Sequence, residues 1–380
     1  MYDAIVIGGG IVGASTAYAL VRRGARVLLI DRADRGRATD AGAGILSPET
    51  NFRDPPSWFE LAQRAVRYYP TLLEDLRSDR AGETGYARCG LLTVAVSEDE
   101  RPAFERLRAQ IFARQRTLGR PSEDDLREVS PSEARRLFPL LGDIIGGIYF
   151  RNAARIDGRL LALAVTGASE RRGLTTMEGS VERLMLAGGR VSGVTLGGDT
   201  ISAPRVAITG GAWSAAFGEQ LGIRIPVSPQ RGQIIHLRMP GTETSAWTII
   251  TGFRDHYMVP WPEGRVAVGA TRETGSGFDP RPTAAGVREV LSEALRVAPG
   301  LANWEIQEVR VGLRPLCADG LPVLGAVPGN EGVYLATGHG PTGLQLGPYS
   351  GKVVADLMLG REPDVDLGPF QVTRFPTFNR

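Results

Sequence analysis

The 380-residue sequence contains few residues of the types that form disulfides or bind metal ions. Its two cysteines, Cys89 and Cys317, lie far apart, which is the spacing of neither a disulfide framework nor a metal cluster. The three histidines, His236, His256 and His339, form no catalytic triad or metal pattern with a cysteine or acidic neighbour. We therefore expect a reducing environment and no bound metal.

An excess of one charge sign and long apolar runs are also absent. The 44 Lys and Arg residues against 42 Asp and Glu residues give a net charge of +2, so we expect no nucleic-acid partner. Lys352 is the single lysine, so all the other Lys and Arg residues counted here are arginines. No apolar run is long enough to span a membrane, and the start MYDAIVIGGG lacks the features of a secretory signal. We expect a cytoplasmic protein.

The first part of the chain has the pattern of a nucleotide-binding unit. An apolar run at 3–7 precedes a glycine turn, helical spacing at 14–23 and a second apolar run at 27–30. Strand, glycine turn, helix and strand in this order form the βαβ unit of a doubly wound parallel sheet. The fold class is therefore α/β, with a Rossmann-like domain.

The middle of the chain has a different pattern. Residues 55–76 and 98–114 have helical spacing, and 90–96 is predicted to be a strand. The segments GQIIHLRM, HYMVP and RVAVGAT alternate as strands of an antiparallel sheet do, and 344–359 is a closing helix. We predict a discontinuous nucleotide domain of residues 1–84, 145–220 and 308–370, and a substrate-binding domain of residues 85–144 and 221–307.

The glycine turn carries a dinucleotide-binding fingerprint. Gly8, Gly10 and Gly13 form GxGxxG directly after a strand and at the start of a helix, which is the context the motif requires. Helix N-terminal amides then face a pyrophosphate. Asp31 closes the second strand, where a carboxylate accepts hydrogen bonds from the adenosine ribose. This unit alone does not distinguish FAD from NAD.

Motifs further along the chain make that distinction. GRATDAGAGIL, GGAWS, PVSPQRGQ, HYMVP, GLRPLCADGLPVLG and GHGPTGL occur in this order. Together they resemble the D-amino acid oxidase family of flavoproteins, and within it glycine oxidase and bacterial D-amino acid dehydrogenase, from the first strand to about Leu359. The resemblance implies FAD as cofactor and oxidation of the carbon–nitrogen bond of a small amino acid, either a D-amino acid or glycine. Because the loop GRATDAGAGIL has no histidine or cysteine, we expect the FAD to be non-covalent.

The resemblance also implies which positions contact FAD. Those at the adenosine and pyrophosphate are Ile11, Val12, Asp31 and Arg32, with Val181 at the adenine. Those around the ribityl chain and flavin are Ala38, Thr39, Ala43, Gly44 and Ile45. The remaining positions are Gly210 and the segment His339, Gly340, Pro341, Thr342, Gly343 and Leu344, whose amides point at the flavin pyrimidine oxygen. Asp40 stands where relatives often have serine, and its orientation is left open.

Two residues are predicted to bind the substrate carboxylate. Arg314 in VGLRP matches the arginine that binds this group in glycine oxidase and D-amino acid oxidase, and arginine supplies a planar bidentate donor. Tyr257 in HYMVP matches the tyrosine beside the same carboxylate. The α-hydrogen then leaves as hydride to flavin N5, and the imino acid hydrolyses to a 2-oxo acid and ammonia.

The electron acceptor is oxygen or a quinone. Sarcosine-oxidase-like relatives activate oxygen with a lysine, and the matching position here is Ala267, while Lys352 in the last helix is a poor substitute. This favours a dehydrogenase or a slow oxidase. Peripheral membrane association, in the case of a dehydrogenase, and a homo-oligomer both stay open.

Three alternatives have different consequences for the site. An L-proline, hydroxyproline or sarcosine enzyme of the same fold shares FAD and amine chemistry but binds a secondary amine. A non-catalytic FAD-binding subunit has no use for both Arg314 and Tyr257. An aromatic hydroxylase on a similar nucleotide domain lacks the GLRP and GHGPTG segments.

Overall fold

The structure, a computed structural model, describes residues 1–51 and 55–376. Over this range the α-helices are α1 (Ile11–Val21), α2 (Pro56–Ser78), α3 (Arg101–Leu118), α4 (Pro131–Leu137), α5 (Gly158–Arg171), α6 (Gly218–Leu221), α7 (Ala284–Val297) and α8 (Gly343–Met358). The strands over the same range are β1 (Ala4–Ile7), β2 (Val27–Asp31), β3 (Ile45–Leu46), β4 (Ala87–Arg88), β5 (Leu91–Ala95), β6 (Leu126–Val129), β7 (Gly146–Phe150), β8 (Ala154–Arg155), β9 (Thr175–Glu178), β10 (Val181–Ala187), β11 (Arg190–Leu196), β12 (Asp199–Ser202), β13 (Val206–Ile208), β14 (Val227–Arg238), β15 (Ile249–Thr251), β16 (Tyr257–Trp261), β17 (Arg265–Gly269), β18 (Glu273–Thr274), β19 (Glu305–Cys317), β20 (Val323–Ala326) and β21 (Val333–Thr337).

The first sheet is the predicted doubly wound sheet. Its strand order is β20-β21-β13-β1-β2-β9, and every pair is parallel except β20 with β21. Successive side chains of β1 point to opposite faces of the sheet, and both faces are covered by apolar clusters. Val6 packs in one apolar cluster with residues of α1, α2 and α8, and Ile5 packs in another beneath strands β10 and β11. The α/β class with a Rossmann-like sheet is confirmed.

The second large sheet contains the strands predicted from GQIIHLRM, HYMVP and RVAVGAT. Its order is β18-β14-β17-β16-β15-β5-β7-β6, and β19 pairs with β14 on that strand's other side. The pairing is antiparallel except where β15 runs parallel to β5. Smaller antiparallel sheets join β10, β11 and β12, and β3, β8 and β4.

Strand pairing crosses two of the predicted domain boundaries. β7 lies in the large sheet, although residues 145–220 are predicted to belong to the nucleotide domain. β19 pairs with β14 from Glu305 to Cys317, so residues 308–317 also extend the large sheet. Register between segments this distant in sequence depends on tertiary packing, which local patterns do not encode. The division into two domains stays a prediction.

The turn between β1 and α1 requires glycine for close packing. Gly8 has φ +106°, and a Cβ at Gly13 would lie 1.8 Å from the Gly8 carbonyl oxygen. Gly10 is the N-cap of α1. The three glycines therefore bring the helix N-terminus directly to the end of the strand. No helix within residues 1–51 and 55–376 combines the length and apolar character that crossing a membrane requires.

Candidate functional site

A cavity of about 550 Å³ lies at the carboxyl ends of the parallel strands and extends to the large sheet. Doubly wound sheets bind their ligands at this edge, and the volume is within the usual range of cofactor sites. The predicted positions that line it are Gly8, Gly10, Ile11, Val12, Asp31, Arg32, Ala38, Thr39, Ala43, Gly44, Ile45, Val181, Gly210, Tyr257, Arg314, His339, Gly340, Pro341, Thr342, Gly343 and Leu344. Gly13 is not among the lining residues, because it packs α1 against β1.

The N-terminus of α1 faces this cavity. The Ile11 amide donates to the Thr39 hydroxyl over 3.0 Å, which satisfies one of the first amides of the helix. Other amides of a first helical turn have no partner inside the helix, so they are available to an anion. The chain therefore offers a phosphate site where the fingerprint predicts one.

Asp31 lies beside the α1 N-terminus. Its two carboxylate oxygens accept hydrogen bonds from the loop before α1 and from the loop after β2. Oδ2 accepts from the Gly9 amide and Oδ1 accepts from the Ala33 amide at 2.7 Å. Arg37 Nη1 lies 3.5 Å from Oδ1, and Arg37 also lines the cavity. Sequence reasoning missed this arginine.

Asp40 turns away from the cavity. Its Oδ2 lies 3.0 Å from Arg37 Nε, and its carbonyl oxygen accepts from Arg159 Nε at 3.1 Å. Asp40 is not part of the cavity lining. The sequence leaves the orientation of Asp40 open. In the structure its carboxylate places no negative charge beside the phosphate site.

The opposite end of the cavity is formed by the segment before α8. His339 is 3% exposed, and burial lowers its pKa to about 4, so the ring is neutral near pH 7. Within the described residues neither ring nitrogen of His339 has a hydrogen-bond partner, nor does Nε2 of the buried Gln345. The Gln345 Oε1 accepts from the Ser47 amide at 3.0 Å. Gln345 is a second lining residue that the sequence reasoning missed, although it directly follows the GHGPTGL motif.

Arg314 projects from β19 into the cavity. Its Nη1 donates to the Thr271 carbonyl oxygen at 2.8 Å, and no carboxylate of the described chain forms an ion pair with it. Burial lowers its pKa, yet an arginine stays charged at any working pH. Gly232, on the paired strand β14, makes room, since a Cβ there would lie 2.3 Å from the guanidinium.

Tyr257 is the first residue of β16 and lies near Arg314. Its register partner on β17 is Gly269, where a Cβ would lie 2.8 Å from the Tyr257 hydroxyl oxygen. Burial raises the pKa of Tyr257, and the charge of Arg314 opposes that rise. The phenol therefore stays protonated and can donate a hydrogen bond into the cavity.

No lysine reaches this cavity. Ala267 pairs with Val259 and His236 in the large sheet, is 1% exposed and is not a lining residue. Lys352, on α8, lies 3.0 Å from both Asp356 and Asp364. The part of the cavity lining that the structure describes therefore contains no ammonium group.

His256 directly precedes β16 and is also a lining residue of the cavity. Its Nε2 lies 3.9 Å from Glu289 of α7, and its Nδ1 lies 2.5 Å from the Arg254 carbonyl oxygen.

Further lining residues near Tyr257 also escaped sequence reasoning. Arg272 Nε lies 3.4 Å from Asp255 Oδ2. The hydroxyls of Thr93 and Thr251, on the parallel strands β5 and β15, lie 2.9 Å apart. A basic residue directly after the apolar strand RVAVGAT was the available signal for Arg272, but pattern alone does not distinguish it from a surface cation.

These residues fit FAD. The cavity runs from the amides of α1 to the first turn of α8, so one end suits a pyrophosphate and the other suits a ring system with polar edges. The Gln345 Nε2 and His339 nitrogens, which have no partner among the described residues, would give such a ring polar contacts. Neither Cys89 nor Cys317 lines the cavity, so non-covalent binding remains the expectation.

Comparison with known proteins gives the family. Residues 3–357 match the family described as FAD dependent oxidoreductase. An uncharacterized oxidoreductase, YurR, of Bacillus subtilis (strain 168) is 40% identical over 97% of this chain and 98% of its own. Glycine oxidase of Geobacillus kaustophilus (strain HTA426) is 30% identical over 98% and 97%. The crystal structure of iminodiacetate oxidase (IdaA) from Chelativorans sp. BNC1 superposes with a TM-score of 0.91 at 40% identity, over 97% of this chain and 98% of that one. The chain belongs to the FAD dependent oxidoreductase family, which is the D-amino acid oxidase family that its motifs indicate.

Proposed function

We propose that the chain oxidises the carbon–nitrogen bond of a small amino acid, a D-amino acid or glycine, whose carboxylate binds to Arg314 and Tyr257. One observation carries the proposal: the Arg314 guanidinium faces the cavity with no carboxylate partner in the described chain. A half-buried cation without a carboxylate partner is costly, and a substrate carboxylate would complete a bidentate pair. The protonated phenol of Tyr257 adds a second donor.

The proposal also assigns the cofactor positions to this cavity. Bound FAD supplies the two-electron acceptor for this reaction, because flavin N5 takes a hydride. In the proposal the amides of α1 bind the pyrophosphate and Asp31 binds the ribose. The first turn of α8 would hold the pyrimidine end of the flavin, where its amides would favour negative charge. The other lining residues that the family resemblance implies enclose the adenine, ribityl chain and ring.

The chain's own residues position the substrate rather than exchange protons with it. The substrate amine first loses its proton to solvent, and the α-carbon then gives up its hydrogen with two electrons, leaving an imino acid. Water adds to the imine carbon and ammonia leaves, which gives a 2-oxo acid. Arg314 stays charged and Tyr257 stays protonated throughout, so both act by orientation.

A second candidate shares the site but takes a secondary amine. The 40% identity to iminodiacetate oxidase supports it, because iminodiacetate is a secondary amine with a carboxylate on the neighbouring carbon. Sarcosine, L-proline and hydroxyproline have the same arrangement. A non-catalytic FAD-binding subunit is disfavoured, since it would not need an arginine that faces the cavity without a carboxylate partner in the described chain.

The test is anaerobic bleaching of the flavin by matched substrate pairs. Glycine, sarcosine, L-proline and D-alanine are each compared with an amine of similar size that lacks the carboxylate, such as methylamine, dimethylamine, pyrrolidine and ethylamine. The proposal predicts that at least one amino acid bleaches the flavin and that its decarboxylated counterpart does so poorly. Preference for the plain amines would reject it.

A further inference from the structure

Arg272 gives the same part of the cavity a second guanidinium. It follows Thr271, whose carbonyl oxygen accepts from Arg314 at 2.8 Å, so the two arginines are joined through one peptide unit. The charge of Arg272 acts on both Arg314 and Tyr257. All three side chains belong to residues that line one cavity.

Arg272 is only loosely paired. Its Nε lies 3.4 Å from Asp255 Oδ2, and the two side chains are 41% and 34% exposed. An ion pair this open contributes little to stability, about 0–1 kcal/mol. Within the described residues, Arg272 makes no hydrogen bond shorter than this contact. Arg272 therefore keeps guanidinium donors for a ligand in the cavity that it lines.

The net charge of this region favours substrates that carry a net negative charge. Arg314 and Arg272 are positive and Asp255 is negative, so these three lining residues have a net charge of about +1 when ionised. An amino acid with one carboxylate is neutral as a zwitterion. An amino acid with two carboxylates has one net negative charge and complements the region.

We propose that Arg272 binds a second carboxylate, so that the preferred substrates are amino dicarboxylates. This inference rests on the proposed function, because Arg314 must hold the carboxylate next to the reacting carbon. The second carboxylate is carried either on the side chain or on the amine nitrogen, as in D-aspartate or iminodiacetate. Arg272 is then a specificity-determining residue and takes no part in the hydride transfer.

The experiment compares substrates that differ only in the second charge. The pairs are D-aspartate with D-asparagine, and iminodiacetate with its monoamide, since an amide has nearly the shape of a carboxylate. For the wild-type holoenzyme we expect kcat/KM to be higher for the dicarboxylate by about tenfold or more in at least one pair. Arg272→Met should remove most of that ratio, and Arg272→Lys should retain part of it.

Arg190→Met is the matched control, because Arg190 forms an exposed pair with Glu331 outside the cavity. It should leave the ratio unchanged, and FAD content shows that each variant is folded. Wild-type ratios near one in both pairs, or an unchanged ratio in Arg272→Met, would overturn the inference while amino acid oxidation still stands. Failure of every amino acid to bleach the flavin would instead reject the proposed function and this inference with it.

Discussion

Arg314 and Tyr257 each lie against a glycine of the neighbouring strand, Gly232 and Gly269. In both cases a methyl group would occupy the space of the polar atoms, at 2.3 Å and 2.8 Å respectively. The position of the two donors therefore depends on the absence of a side chain opposite them. This dependence gives a test that leaves both donors chemically intact.

Gly232→Ala should displace the Arg314 guanidinium without unfolding the chain, because the clash is with the end of a flexible side chain. A displacement of about 1 Å in a positioned group costs roughly a hundredfold, so we expect such a loss in kcat/KM with FAD retained. Steady-state kinetics and the flavin spectrum measure the two quantities. Gly82→Ala is the matched control, since a Cβ there has no neighbour within 4 Å. Equal activity of the two variants would show that Arg314 does not need this space.

Asp31→Ala should weaken FAD binding by about 1–3 kcal/mol through lost hydrogen bonds to the ribose. The variant also loses the acceptor for the Gly9 and Ala33 amides, which adds to the effect. Cofactor dissociation on dilution measures it, and added FAD should restore activity. Asp3→Ala, which removes an exposed pair with Arg26, is the control. Full cofactor retention at dilution would mean that the ribose lies elsewhere.

At the residue scale, prediction from sequence succeeded where a local motif fixes backbone geometry. The glycine fingerprint, GRATDAGAGIL and GHGPTGL are each one short continuous segment, and most of their residues line the cavity, whereas Gly9, Gly13, Gly36, Asp40, Leu46 and Gly338 do not. Arg272 and Gln345 were missed because they lie just outside the motifs, and Arg37 was missed although it lies within GRATDAGAGIL. The orientation of Asp40 likewise depends on its partner Arg37, which the sequence does not identify.

At the scale of secondary structure, β14 carries a buried histidine with a consequence for acid stability. His236 is 3% exposed, and within the described residues neither ring nitrogen has a hydrogen-bond partner. Burial, helped by the charge of Arg310, lowers its pKa to about 3 from 6.5. The unfolded chain therefore binds a proton below about pH 6.5, whereas the folded chain does not until about pH 3. Stability is thus fully present above pH 6.5 and is lost as the pH falls through this window.

His236→Leu should make the protein less sensitive to acid. For the wild type, this side chain costs about 1.4 kcal/mol per pH unit below 6.5, so about 2 kcal/mol at pH 5. Denaturant unfolding at about pH 7.5 and about pH 5 should show a smaller decrease for the variant. An equal decrease in both proteins would mean that His236 is protonated in the folded state.

The strands themselves were largely predictable, but their register was not. GQIIHLRM, HYMVP and RVAVGAT correspond to β14, β16 and β17, because alternating and β-branched residues favour strands locally. The parallel contact of β15 with β5 and the long pairing of β14 with β19 join segments that are distant in the chain. That pairing places Arg314 opposite Gln230 and next to Gly232, so the substrate site depends on it.

At the scale of the whole molecule, the two large sheets border a cavity whose described lining contains no lysine. Without an ammonium group to favour negative charge on oxygen, turnover with dichlorophenolindophenol or a quinone should exceed turnover with air. The comparison is made at saturating amino acid with the same enzyme preparation. Peroxide formation in air that equals dye reduction would contradict this prediction.

The central claim is that the cofactor and the substrate carboxylate bind at separable places in this cavity. The most direct measurement is amino acid oxidation by Arg314→Leu, with its FAD content determined on the same sample. We predict a yellow protein that retains FAD and loses about thirtyfold to several-thousandfold in kcat/KM, since removing one partner of a buried charge pair costs about 2–5 kcal/mol. Loss of folding and flavin together, or amino acid oxidation at the wild-type rate, would contradict the account.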